Sequence, residues 1–233
     1  MLDPKGIVTI DGPSGAGKST ISRGLAARLN FTYLDTGAMY RAVGLALQRQ
    51  GIDLADTPAL KKCLAGIDLA LSPNGDDDVR VLLNGEDVSP AIRTPEMGLV
   101  ASRVSADPLV REKLTALQRQ LGEKGSIVAE GRDMGTVVFP KAAGKFFLDA
   151  SAEVRARRRQ KQLAEKGQIV DYQEILAQIS KRDHDDSKRA LAPLKPAADA
   201  IIVDSSSIGP EAIIDCMLAS LAKIEPKGGK HDG

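Results

Sequence analysis

A short run, Ile7-Val8-Thr9-Ile10-Asp11, leads without interruption into Gly12-Pro13-Ser14-Gly15-Ala16-Gly17-Lys18-Ser19-Thr20, after which Ile21, Leu25 and Leu29 recur at helical spacing. This is a strand, a GxxxxGK[ST] loop and an amphipathic helix in immediate succession. The glycines let backbone N–H groups converge on phosphate oxygens, and the helix N-terminus adds a partial positive charge. Lys18 supplies a mobile full charge across the β and γ phosphates, and the Ser19 hydroxyl is placed to ligand Mg2+. Gly12 to Thr20 therefore read as a nucleoside-triphosphate site. The plainer possibility is a glycine-rich turn that closes a strand–helix junction and binds nothing.

The remaining chain repeats the strand-then-helix alternation, which predicts an α/β core: a parallel sheet covered by helices. Strands are expected at 6–11, 32–35, 126–130, 145–149 and 200–204, and helices at 17–30, 37–50, 95–124, 152–166, 171–188 and 209–224. Residues 64–94 break the pattern. Ile67, Leu69 and Leu71 alternate with Asp68, Ala70 and Ser72, and Pro73-Asn74-Gly75 and Asn84-Gly85 supply turns, so a small antiparallel meander is expected there. It is read as a module inserted between 1–63 and 95–224, with extra edge strands of the main sheet as the alternative. Residues 225–233 carry no apolar anchor and are expected to form a flexible tail.

Composition narrows the partners. Lys and Arg total 32 against 31 Asp and Glu, so no global positive field exists to collect nucleic acid. Two cysteines, Cys63 and Cys216, fit reduced, buried thiols rather than a disulfide framework. The first residues lack the basic and apolar stretches of a secretory signal, and no apolar run approaches membrane-spanning length, so a cytoplasmic protein without a membrane partner is expected.

The acceptor of the phosphoryl group has to be sought elsewhere. No Asn-Lys-x-Asp element for guanine is present, whereas arginines recur near the ends of predicted strands. Asp35 to Arg41 follows the second strand and Glu130 to Gly135 the third, so Arg41 and Arg132 converge on the crevice at the carboxyl edge of the sheet. Guanidinium forks there suit an acceptor that itself carries a phosphate. Residues 155 to 161 place five positive charges in seven positions. They read as a lid over the transferring group, with an RNA-binding or solvated face as the rival. Arg182, Asp186 and Arg189 share a helical face, where the acid can accept from ribose hydroxyls. Neither His184 nor His231 has the setting of a general base. None is needed if the attacking oxygen belongs to a phosphate monoester, already a dianion at neutral pH.

Four segments together resemble the bacterial cytidylate kinase family of the nucleoside monophosphate kinases: Thr9 to Thr20, Leu34 to Arg41, Gly131 to Pro140, and Arg182-Asp183 through Arg189 to Leu194. The resemblance covers about residues 5 to 224. It implies a P-loop NTPase-type five-stranded parallel sheet flanked by helices, a helical lid at 155–188, and a monophosphate-binding insertion matching the meander. It also implies phosphorylation of CMP and dCMP by ATP with Mg2+. By position it implies Thr36, Arg41, Ser102, Arg111, Arg132, Asp133, Arg182, Asp186 and Arg189 as the acceptor site. Lys18, Arg132, Arg158 and Arg189 are then expected to stabilise the transfer. Asp133 suits the cytosine amino group and Arg111 its carbonyl and ring nitrogen, a pattern that uracil reverses. A monomer that engages no nucleic acid is expected. Roles for His184, Asp185, Ser187 and Lys188 do not follow.

Overall fold

The computed structural model describes residues 6–74, 78–165 and 167–224. Five parallel strands form the main sheet: β1 (Ile7–Asp11), β2 (Thr32–Asp35), β6 (Ile127–Gly131), β7 (Gly144–Asp149) and β8 (Ile201–Asp204), in the order β2-β6-β1-β7-β8. Each expected strand is present to within a residue of its start and end. β1 lies at the centre, and its residues are buried on both sides, as those of a parallel strand covered by helices must be. Val8 and Ile10 face α1 (Lys18–Leu29) and α8 (Pro210–Ala222), where they join Leu25, Phe146, Ile214 and Met217. On the opposite side a larger core gathers Met39, Val43, Leu60, Val100, Leu114 and Ala129. It is built from α2 (Thr36–Arg49), α3 (Thr57–Gly66), α4 (Pro95–Val104) and α5 (Pro108–Gly122).

The meander is a separate three-stranded antiparallel sheet, β3 (Leu69–Asn74), β4 (Asp78–Leu83) and β5 (Glu86–Asp87). At its second turn Asn84 and Gly85 both have positive φ, 51° and 83°. That is the backbone an Asn-Gly hairpin supplies at least cost. The first turn, Pro73-Asn74-Gly75, falls partly outside the described residues, as does the whole expected tail at 225–233. Leu69, Val81 and Leu83 anchor the sheet in the larger core.

Three expectations need correction. Residues 95–124 form two helices, not one. Ser105 ends α4, and Asp107 accepts from the Leu109 and Val110 amides at 2.9 and 3.1 Å to start α5 just before Pro108. Helix α3 is absent from the expected elements, and the meander's expected start at 64 lies inside it. Asp56 caps it, Pro58 sits in its first turn, and Leu60, Cys63 and Leu64 bury one face. Finally, Cys63 is buried but Cys216 is exposed, because α8 turns Ile213, Met217 and Leu221 inward instead.

Beyond the sheet, α6 (Ala152–Glu165) and α7 (Tyr172–Lys188) pair through a small cluster of their own, Ala156, Leu163 and Ile175. No helix among the described residues is long and apolar enough to cross a membrane.

Candidate active site

Strands β1, β2 and β6 each close an apolar run with an acid at the carboxyl edge, and register brings these ends together: Asp11 lies opposite Gly131 and Asp35 opposite Glu130. The loop after β1 needs its glycines. Gly12 has φ of 148°, and a Cβ there would overlap the Leu148 carbonyl oxygen, while Gly17 takes φ of 93° immediately before α1. Only glycine adopts such backbone without strain. Like α8, helix α1 starts without the side-chain cap found on α2, α3, α4, α5 and α7. Its first-turn amides are thereby left for an anion. Lys18 reaches back to the Pro13 carbonyl at 2.7 Å.

Cations crowd this loop. Burial, then the Arg132 charge, push the Lys18 ammonium well below the usual lysine range. Arg182 donates to the Ser14 hydroxyl at 3.2 Å, and burial followed by Arg132 lowers its pKa to about 10. Arg155 is held by the Ser14 carbonyl at 3.1 Å and by Asp183 of α7, also 3.1 Å. Arg158 turns instead to Ser205, whose hydroxyl donates to the Ala16 carbonyl, so it stands one residue removed from the loop.

The residues expected to bind an acceptor gather beside it in three groups. Asp186, 1% exposed, takes Arg132 at 3.0 Å, Arg189, and the Ser102 hydroxyl at 3.4 Å. Arg111 pairs with Asp133, both buried, and also donates to the Ser105 carbonyl. Burial pushes the Asp133 carboxyl up despite that guanidinium. Arg41 pairs with Asp35 at 3.1 Å. Thr36 is placed differently: its hydroxyl donates to the Glu130 carbonyl at 2.6 Å and ties the start of α2 to β6.

Sequence reasoning passed over Asp11, Tyr33 and Glu130, and placed Arg155 only within the 155–161 cluster, although an acid closing each apolar strand was a usable signal. Asp11 accepts from the Met134 and Gly135 amides, both at 2.8 Å, and so fixes the π-helical turn Met134–Val138 that follows Asp133. Burial raises its pKa to about 6 from 3.8. A carboxyl raised in the folded state contributes stability below the unfolded value and loses it as pH rises. Relative to Asp11→Asn, the unsubstituted protein is therefore expected to lose about 2 kcal/mol of unfolding free energy between pH 4 and 6.5. Urea titrations of both proteins across that range check it, and a pH-independent difference would contradict it.

Glu130 Oε1 accepts from the Ser19 and Tyr33 hydroxyls, each at 2.8 Å, while Oε2 has no hydrogen-bond partner among the described residues. With its proton given to Glu130, the Ser19 hydroxyl keeps its lone pairs for a cation, so the donor set fits Mg2+ carried in on phosphates.

A five-stranded parallel sheet whose central strand feeds a glycine loop, an uncapped helix and a cluster of half-buried and buried arginines defines a P-loop phosphotransferase. A solved shikimate kinase from Bacteroides thetaiotaomicron shares the fold, with a TM-score of 0.50 at 15% identity over 93% of this chain and 98% of that one. The sequence model of the family "Cytidylate kinase" matches residues 8–223. The cytidylate kinase of Citrifermentans bemidjiense is 47% identical, with 96% of each chain covered. That of Syntrophotalea carbinolica is 48% identical over 93% of this chain and 92% of its own. The chain belongs to the cytidylate kinase family.

Proposed function

We propose that the cleft moves the γ-phosphoryl group of ATP in line onto the phosphate of CMP or dCMP, giving ADP and CDP or dCDP. The observation that carries this reading is the crowding of like charge: burial and the Arg132 guanidinium lower the pKa of both Lys18 and Arg182. Such a set is strained alone and relieved by two polyanions lying end to end. Lys18 and the first turn of α1 take the ATP phosphates, and Arg41, Arg132 and Arg189 take the acceptor phosphate. Asp186 with Arg182 faces the sugar. The sheet of β3, β4 and β5 covers the acceptor side, and the lid residues 155–188 close the donor side with Arg158. Mg2+ would be held by Ser19, with Glu130 behind it, and would supply charge neutralisation for the phosphates. No residue has to remove a proton, because the acceptor is already a dianion. A cytoplasmic setting, where CMP is at hand, suits this chemistry.

Base choice rests on the buried Arg111–Asp133 pair. Cytosine offers an amino donor to the carboxylate and acceptors to the guanidinium, whereas uracil opposes acceptor to acceptor, a mismatch of about 2 kcal/mol. Phosphorus NMR of protein, ATP, Mg2+ and CMP is expected to show CDP and ADP in equal amounts. In an ADP-release assay kcat/KM for CMP is expected to exceed that for UMP by about thirtyfold. Equal efficiency on both would remove the base-reading role, and no turnover across a panel of monophosphates would remove the kinase reading.

A further inference from the structure

Behind Arg111 and Asp133 lies a buried polar cluster that the transfer reaction does not use. Gln118, on α5, is 0% exposed. It follows Arg111 by seven residues and so shares its face two turns further on. Neither end of its amide has a hydrogen-bond partner among the described residues, and the Tyr40 hydroxyl on α2 is likewise buried and unpartnered. The two groups lie side by side, close enough for the amide to act on the phenol, yet short of hydrogen-bond geometry. Tyr40 in turn carries Arg111, whose guanidinium carbon stands 6.0 Å over the ring centroid. That is within cation–π range.

A buried amide with both ends open is costly, and a leucine of similar shape would remove the cost. A chain that keeps glutamine there uses the amide for something other than packing. We propose that Gln118 is a specificity-determining positioning residue: its amide holds the Tyr40 hydroxyl, the ring so fixed sets the angle at which Arg111 meets Asp133, and that angle decides between the amino and oxo groups of a pyrimidine base. The inference rests on the reading of Arg111 and Asp133 as the base-reading pair. A small rotation of Tyr40 brings hydroxyl and amide into a bond. Without that bond the ring is free to tilt, the guanidinium follows, and it can turn to meet a uracil carbonyl that the fixed arrangement rejects.

Gln118→Leu, Tyr40→Phe and the double variant, assayed on CMP and UMP at saturating ATP with thermal melting in parallel, test this. Gln118→Leu is expected to melt close to the unsubstituted protein, because taking a polar amide out of the core offsets the partner lost by the buried Tyr40 hydroxyl. Its CMP-over-UMP ratio of kcat/KM is expected to fall about five- to tenfold. Tyr40→Phe should lose the ratio to the same extent, and the double variant should lose no more than either single one, as residues acting through one bond require. A packing role alone would shift melting and leave the ratio in place. An unchanged ratio in both single variants, with CMP still phosphorylated, overturns the proposal and leaves the kinase reading intact. Absence of CMP turnover in the unsubstituted protein removes the kinase reading itself. Should Gln118→Leu fail to fold, Gln118→Met with Tyr40→Phe carries the same comparison.

Discussion

Lys18→Met is expected to lower kcat/KM by about a thousandfold while leaving the melting temperature unchanged or higher. The two effects have one cause. The Lys18 ammonium is buried and surrounded by the charges of Arg132 and Arg182, which disfavour its protonation in the folded protein. A lysine whose folded pKa is lowered weakens the fold at neutral pH, because the unfolded chain holds the proton more tightly. Methionine keeps the stem and its packing but drops the charge. In the transfer step the same charge is needed on the phosphoryl oxygens, and nothing else in the loop can reach there on a flexible stem. Steady-state kinetics together with a thermal melt read both sides. Activity within about tenfold of the unsubstituted enzyme would place Lys18 away from the phosphates.

Asp186→Ala produces the opposite pattern, a severe loss of stability. Burial pushes the Asp186 carboxyl up, but Arg132, Arg189 and Arg182 together outweigh it and hold the group below the usual carboxylate range. Removing it strands buried guanidinium groups without an anion, at a cost of about 3–5 kcal/mol. A carboxyl with a lowered pKa contributes stability above its unfolded value, 3.8, and loses it as pH falls. The difference between the two proteins should therefore be full at pH 7 and shrink below about pH 4. Saturating CMP should recover part of the loss, since its phosphate offers these arginines another anion. Urea unfolding at both pH values, with and without CMP, measures it; a loss under about 1 kcal/mol at pH 7 would mean that the arginines are not held by this carboxylate.

The sheet was legible because its strands are short apolar runs that end in polar loops, a signal that survives without any knowledge of their neighbours. The break between α4 and α5 was not, although Asp107-Pro108 marks it, because Val100 and Val104 before it and Val110 and Leu114 after it each keep helical spacing. Helix α3 was hidden for a related reason: its buried residues are only Leu60, Cys63 and Leu64, and its C-terminal end runs into the alternation of the meander. Within the site, paired residues were the legible ones where they share a helix, as Arg182, Asp186 and Arg189 nearly do. Contacts across the fold were not. Nothing local to Arg155 announces that it will hold both the Ser14 carbonyl and Asp183, and nothing near Tyr33 points 97 positions ahead to Glu130. Thr36 shows the limit from the other side, since its hydroxyl beside an acceptor loop also ties the start of a helix to a strand.

One turn of α7 touches both halves of the cleft. Arg182 meets Ser14 and Asp183 meets Arg155 beneath the donor loop, while Asp186, a turn further on, gathers Arg132 and Ser102 on the acceptor side. The two compartments thus share one rigid lever, and a drift in its seating is felt in both at once. On the reading proposed above, a substitution in this turn would alter the hold on both nucleotides together, and its effect would reach Asp133 through Arg132 and Arg189 as well.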